Sequence, residues 1–331
     1  MLKSRVLVAC LVLTLSISWL SLSSLGQALS ETEEVKWSTV DIPAEGRTGN
    51  WVLAPGSDVQ HLAMARDGTL YCYARPLGTG YTLFKSGDGG FAWSYTGKVV
   101  DSIVAIAAAP DDANVIYYAT EANVYKSTDA GVTFFGLPQN PGGAGSNNVT
   151  ITCLSVVRQN NSYVVSVGTK DSDSAQFGGV YIFDEKKSAG WLNTDIGSYD
   201  VITLTFSPNY ASDYQLIAVV TNEVDTLISI KVDITGWGEV LGNATIGGLA
   251  ARGAVLAFPD DYNATNSDGT LFTAIDTGSG TGDVYQVKLA RAPLPSMAID
   301  LDIGYDYQVR NIDINGLACQ SHRTGVKSVV G

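Results

Sequence analysis

Short apolar runs recur in pairs along the chain, and a polar turn rich in Asp, Asn and Gly splits each pair. The segments His61–Ala74 (HLAMARDGTLYCYA), Ile103–Thr120 (IVAIAAAPDDANVIYYAT), Cys153–Val167, Ile202–Val220 and Ala254–Ile275 all follow this grammar. In each, an alternating or continuous apolar stretch predicts one strand, turn residues break it, and a second apolar stretch predicts the next. Pro110, Pro208 and Pro259 hold the same place in three of these turns, at steps of 98 and 51 residues, the first step covering two repeats. Two further strands complete the early units: YTLFKS and AWSYTG around Ser86–Gly90, then ANVYKS and TFFGLP around Ser127–Gly131, 41 positions on. Later units keep less of this second half. YIFDEKKSAGWLN retains the strand, a turn and Trp191, and LISIKVDITGWGEV retains only Trp237.

A four-stranded unit recurring every 40–50 residues predicts an all-β propeller of four-stranded blades. About five full repeats are present, with partial first and last blades. Val35–Pro43 (VKWSTVDIP) reads as a lone fourth strand ahead of the first full repeat, and YQVRNIDINGLAC near the other end begins a further one. The tail QSHRTGVKSVVG is polar and basic and reads as no strand of the set. The chain therefore either closes a small or irregular ring or is a shortened version of a longer protein, and the incomplete last blade favours the second reading.

The turns between third and fourth strands carry the sharpest motif. Ser86, Asp88, Gly90 and Trp93 in SGDGGFAW, and Ser127, Asp129, Gly131, Thr133 and Phe134 in STDAGVTF, resemble the Asp-box or BNR repeat, S-x-D-x-G-x-T-W/F. The first copy has Ala92 where Thr is usual, and the second has Phe134 for Trp. Boxes of this kind occur in sialidases, xyloglucan-degrading glycosidases, sortilin-type receptors and photosystem assembly factors related to Ycf48, so the resemblance implies a propeller without selecting an activity. Elementary chemistry gives the motif a structural role. A short Asp side chain accepts hydrogen bonds from nearby backbone N–H groups, Gly supplies positive φ, and the aromatic ring is expected to be buried between blades.

The N-terminus adds a compartment. Lys3 and Arg5 precede an apolar run from Val6 to about Leu25, followed by small residues, which predicts a secretory signal peptide over residues 1–28 and a mature propeller domain over 29–331. An uncleaved apolar segment of this length is the alternative, and membrane contact is expected through it or not at all. The formal net charge of -13 disfavours nucleic acid and anionic membrane as partners. Cys72, Cys153 and Cys319 have no metal-ligand spacing, and the first two sit in apolar runs as buried thiols. Four sequons, at Asn148, Asn160, Asn243 and Asn263, fit exposed loops.

Candidate chemistry is sparse. Resemblance to sialidases implies three clustered arginines, a Tyr–Glu nucleophile pair and an acid. Arg75–Pro76 lies near the place of the family's Arg-Ile-Pro motif but lacks the Ile, and Arg47, Arg66, Arg158, Arg252, Arg291, Arg310 and Arg323 are scattered. A glycosidase also needs two carboxylates facing across a cleft. Asp58, Asp101 and Asp200 precede the first strands of successive units and are the acids placed to do so, although loop acids are ordinarily solvated. His61 and His322 lack a nucleophile motif. Asn263–Gly269 and Asp300–Asp306 are oxygen-rich but miss the spacing of an EF-type calcium loop. No catalytic residue, metal, nucleotide or redox cofactor is assigned. The expectation is an exported, non-enzymatic binding or structural scaffold for a protein or glycan at the cell surface, with the loops Pro138–Asn148 and Lys170–Gly179 as first contacts; a carbohydrate-active hydrolase of sialidase or xyloglucanase type is the alternative.

Overall fold

The computed structural model describes residues 58–75, 80–96, 99, 101–146, 148–263, 269–303, 314, 316–321 and 327–330. The chain divides into two units, Met1–Val40 and Asp41–Gly331, and all described residues belong to the second. The leader, the Val35–Pro43 segment, Arg47, Arg310, Arg323 and His322 fall outside them.

Five four-stranded antiparallel sheets follow one another in chain order. Blade 1 comprises β1 (Asp58–Met64), β2 (Leu70–Arg75), β3 (Thr82–Ser86) and β4 (Ser94–Tyr95). Blade 2 comprises β5 (Ala105–Ala108), β6 (Ile116–Ala119), β7 (Val124–Ser127) and β8 (Phe135–Gly136). Blade 3 has β9 (Val149–Gln159), β10 (Ser162–Asp171), β11 (Gly179–Asp184) and β12 (Leu192–Asn193). Blade 4 has β13 (Asp200–Phe206), β14 (Gln215–Thr221), β15 (Thr226–Val232) and β16 (Ala244–Ile246), with the short helix α1 (Tyr210–Asp213) in its first turn. Blade 5 has β17 (Gly253–Ala257), β18 (Thr270–Asp276), β19 (Asp283–Lys288) and β20 (Met297–Asp300). The first strands β1, β5, β9, β13 and β17 pack side by side in succession, so this is the propeller arrangement, with first strands innermost and fourth strands at the rim.

Burial explains why the second strands read as continuous apolar runs. Ile116-Tyr117-Tyr118-Ala119 in β6 and all seven residues of β14 are buried, because each of these strands lies mid-sheet with a neighbouring blade against its faces. The core is accordingly not one cluster but four. Buried residues group as blade 1 with blade 2, blade 2 with blade 3, blade 3 with blade 4, and blade 4 with blade 5. Among the described residues no such cluster joins blade 5 to blade 1. In blade 2 the cross-strand row Ile106, Tyr118 and Tyr125 packs towards blade 1. The equivalent row of blade 1 runs through Leu62, Cys72, Phe84 and Tyr95, and its ends are open, with Leu62 60% and Tyr95 64% exposed.

The tail, read as no strand of the repeating set, forms a separate two-stranded hairpin of β21 (Ala318–Ser321) and β22 (Lys327–Val330) outside the five blades. One element departs from the sequence reading. The fourth strand of blade 4 is Ala244–Ile246 rather than the Trp237 region. Trp237 instead donates its indole N–H to Thr194 Oγ1 at 3.1 Å, tying blade 4 to blade 3.

The tightest interface joins blades 3 and 4. Thr152 Oγ1 donates to the Val201 carbonyl at 2.7 Å, and a Cβ at Gly168 would lie 2.4 Å from Val201 Cγ1 and 2.6 Å from Cys153 Sγ. A β-bulge falls at this glycine. Gly168→Ala is therefore expected to destabilise by about 1–3 kcal/mol through overpacking, lowering the urea midpoint without changing the slope, whereas Gly190→Ala, with nothing within 4 Å, is expected to be near neutral. Equal midpoints for the two variants would contradict this packing account.

Candidate functional site

Alternation of strand direction gives the blades two faces. The leading face, where first strands begin, carries Asp58, Asp101 and Asp200 and the long connections Pro138–Asn148 and Lys170–Gly179. The trailing face carries the hairpin turns between third and fourth strands, and so both Ser-x-Asp segments.

Each acid of the leading face is engaged by its own surroundings. Asp58 accepts hydrogen bonds from the Tyr81 hydroxyl and, at 2.8 Å, from Gln60 Nε2, with Arg75 at 3.4 Å; the Tyr81 bond leads in holding its pKa below the ordinary value. Asp101 accepts the Tyr118 hydroxyl at 2.8 Å, and its carbonyl accepts the Tyr73 hydroxyl at 3.1 Å. Asp200 Oδ1 accepts the backbone N–H groups of Asp171 and Gly178, both at 2.9 Å, closing the base of the Lys170–Gly179 loop; burial raises its pKa. The described arginines are spread over blades 1, 3 and 5 and both faces, with Arg158 beside Asp111 at 3.4 Å. His61 stacks on Tyr73 with centroids 6.3 Å apart, and burial pushes its pKa down. Cys72 and Cys153 are buried, and burial pushes both thiols up to about 11.

One carboxylate group converges that the sequence did not join. Asp283, Asp300 and Asp302 have oxygens within 4.8 Å of one another. Asp283 Oδ1 accepts the N–H groups of Val284 at 2.7 Å and Ile303 at 3.2 Å, Asp300 Oδ1 accepts that of Asp302 at 2.9 Å, and burial leads in raising the Asp283 pKa. All-oxygen donors of this kind suit a hard cation. The corner lies on the third strand and the end of the fourth, at the rim of blade 5 rather than at the axis. Asp300 and Asp302 were visible as an oxygen-rich segment, whereas Asp283 enters only through the β19–β20 register, which pairs Tyr285 with Asp300. Most of the Asn263–Gly269 segment lies outside the described residues.

The Ser-x-Asp turns share one hydrogen-bond plan. Ser86 Oγ donates to Asp88 Oδ1 at 2.7 Å and accepts from Gly90 N at 2.8 Å, while Asp88 Oδ1 accepts from Phe91 N and Ala92 N at 3.0 Å. Ser127, Asp129 and Gly131 repeat this at 2.7 and 2.9 Å. Thr133 then donates both its N–H, at 2.9 Å, and its hydroxyl, at 2.6 Å, to Asp129. The extra hydroxyl, absent where Ala92 stands, leads in bringing the Asp129 pKa down to about 2. Gly131, at φ 83°, also faces blade 1, where a Cβ would meet Thr96 at 2.9 Å. The aromatic positions diverge. Phe134 packs edge-on to Tyr118 with centroids 4.8 Å apart, in the cluster between blades 1 and 2. Trp93 was expected to be buried likewise, yet it is 36% exposed, its indole N–H bonded to the Gly90 carbonyl at 3.0 Å. It lies beside Asp88 and Ser94 on the wall of a cleft.

Between blades 1 and 2, on the trailing face, lies a cleft of about 410 Å³ lined by Asp67, Thr69, Lys85, Asp88, Ser94 and Asn114 among others, with Tyr71 also on its wall. Trp93 lines it as well; Asp88 and Trp93 were singled out from sequence, and the others sit at ordinary strand and turn positions. The next interface is braced instead of open. Lys126 Nζ lies 2.6 Å from Glu185 Oε2, and the Tyr117 hydroxyl donates to Glu185 Oε1 at 2.7 Å.

No family model matches the chain, and no curated protein matches it in sequence. Solved structures similar to it include "YCF48 bound to D1 peptide", at 14% identity over 81% of this chain and 74% of that one with a TM-score of 0.47. A GH74 xyloglucanase from Xanthomonas campestris is 13% identical over 73% of this chain and 39% of its own, with a TM-score of 0.47. The SapL1 lectin in complex with alpha methyl fucoside is 13% identical over 81% and 86%, with a TM-score of 0.45. At these values the likeness assigns no activity.

Two outcomes test the turns and the brace. Because the Asp129 pKa is lowered from an ordinary value near 3.9, its contribution is complete above about pH 4 and lost as pH falls through about 2. Carbon-detected NMR titration is expected to place its midpoint near 2 and to return it towards 4 in Thr133→Val. Glu185→Gln leaves the largely buried Lys126 ammonium unpaired and is expected to destabilise by about 3 kcal/mol, with Lys126→Met in the same chain recovering most of the loss in urea melts. A Glu185→Gln melt that matches the unsubstituted protein would contradict the brace.

Proposed function

We propose that this chain is an exported, non-enzymatic propeller of the Asp-box group, acting as a binding or structural scaffold for a protein or glycan at the cell surface. Its two Ser-x-Asp turns serve as structural clasps rather than reaction sites. The observation that carries the reading is the engagement of the leading-face acids: Asp58, Asp101 and Asp200 each hold local structure through hydrogen bonds of their own. The acids that do converge, Asp283, Asp300 and Asp302, lie at the rim on a single blade, away from the axis a ring-shaped enzyme would use. Blades locked by interface clusters give rigid support, and the variable loops and inter-blade clefts are left to recognise a partner.

Incubation of the purified protein with xyloglucan, arabinan and a fluorogenic sialoside is expected to release no reducing ends or fluorophore above a heat-denatured control. Native gels containing the same polysaccharides, or crosslinking to intact cells, are expected to show binding. Turnover abolished by Asp283→Asn would overturn the scaffold in favour of the hydrolase. For export, intact-mass measurement of secreted protein is expected to place the mature N-terminus at Leu29; retention of Met1 in secreted material would refute the cleaved leader.

A further inference from the structure

Lys85 and Lys126 occupy the same position of their blades, one residue before the clasp serine and opposite a tyrosine of the second strand, Tyr71 and Tyr117 respectively. Their surroundings differ: the Lys126 ammonium lies 5.4 and 4.8 Å from the ring centroids of Tyr117 and Tyr163 and has an acidic partner besides. At the interface of blades 2 and 3, Glu185 reaches across from the end of β11 to meet both the Lys126 ammonium, at 2.6 Å, and the Tyr117 hydroxyl, at 2.7 Å. At the interface of blades 1 and 2 no such residue reaches across among the described residues. The Tyr71 hydroxyl turns to the Ala113 carbonyl at 2.8 Å, and half-buried Lys85 makes no ion pair and no cation–π contact among the described residues. The space is the cleft of about 410 Å³, a volume in the range of small-ligand sites.

A partly desolvated ammonium without an ion-pair partner is costly, and the next interface shows which group relieves it. We propose that the cleft between blades 1 and 2 binds a glycan residue bearing a single carboxylate, a uronic acid, with its carboxylate taking at Lys85 the place that Glu185 takes at Lys126. The lining also includes Trp93, Ala92 and Ala113, and its remaining polar groups call for hydroxyls. Asp67 and Asp88 present acceptors, Asp67 with one oxygen on Thr69 N at 2.9 Å and Asp88 with Oδ1 committed to its own turn, so each is met by a ligand donor and keeps the ligand carboxylate to the Lys85 side. Asn114, whose amide N–H bonds Asp112 at 3.3 Å, offers a carbonyl oxygen, and Ser94 a hydroxyl. A sugar ring supplies several hydroxyls beside one carboxylate within one small volume. A peptide would instead look for a sheet edge or apolar pockets, and the adjacent edge strand β4 is two residues long. The net charge of -13 sets a limit: a sparsely charged glycan is accepted, and a dense polyuronate is repelled.

This inference rests on the glycan form of the scaffold reading and is separable from it by titration calorimetry on the full-length secreted protein. The probes are xylotriose carrying one glucuronic acid, unsubstituted xylotriose, polygalacturonate and acetyl-glutamate amide. The charged trisaccharide is expected to bind at least about tenfold more tightly than the neutral one, as for a charge-assisted contact, and more tightly per residue than polygalacturonate. Lys85→Met is expected to erase that preference and Lys85→Arg to keep part of it, while Tyr95→Ala, on the opposite face of the sheet, leaves it unchanged. Unaltered circular dichroism and melting of Lys85→Met separate lost recognition from lost folding. Equal binding of the two trisaccharides, or a preference that survives Lys85→Met, overturns the site while leaving the scaffold standing. Binding of acetyl-glutamate amide with the same Lys85 dependence would replace the glycan by an acidic peptide and overturn the ligand assignment. Cleavage of the trisaccharide would remove the scaffold reading itself.

Discussion

Everything in this fold depends on one constraint: a four-stranded sheet that is apolar on both sides cannot satisfy itself. Tyr117 and Ile116, adjacent in β6, are both fully buried, yet they belong to different clusters, one shared with blade 3 and the other with blade 1. A single residue step along a strand reverses the side chain, so a strand that is apolar at every position demands a neighbour on each side. Stability is thus held between blades, and the polar groups that matter most are those bridging the same seams: Thr152 to Val201, Trp237 to Thr194, and Lys126 to Glu185.

The seams are not equivalent, and the differences are small in sequence but large in consequence. Blade 3 has the longest strands, β9 and β10, and meets blade 4 so closely that only glycine fits at position 168. At the seam between blades 2 and 3 a lysine–glutamate pair fills the groove; one seam earlier the corresponding lysine lines a cleft of about 410 Å³. The two clasps differ by one hydroxyl, that of Thr133, and this is enough to separate their electrostatics.

The repeated strand pairs were legible because burial on both sides leaves an unbroken apolar run, as in QLIAVVT of β14, and because Pro and Asp mark the turns between them. The clasps were legible as letters, since Ser, Asp and Gly act on one another within five positions. What escaped reading lies across the seams. Glu185 finds Lys126 from 59 positions away, and Asp283 meets Asp300 only through a strand register. Trp93 carries the same letter role as Phe134 yet is 36% exposed, so the motif alone does not decide burial.

The open row on blade 1 has a consequence for how the cleft behaves. Among the described residues this blade shares a buried cluster with one neighbour, whereas blades 2, 3 and 4 each share two. In a nearest-neighbour array a seam couples the units on its two sides, so opening of β1–β4 is linked to the seam with blade 2. The cleft lies on that seam. Anything that bridges its two walls therefore adds to that coupling, and occupancy and fraying become two ends of one linkage equilibrium, in which raising one lowers the other.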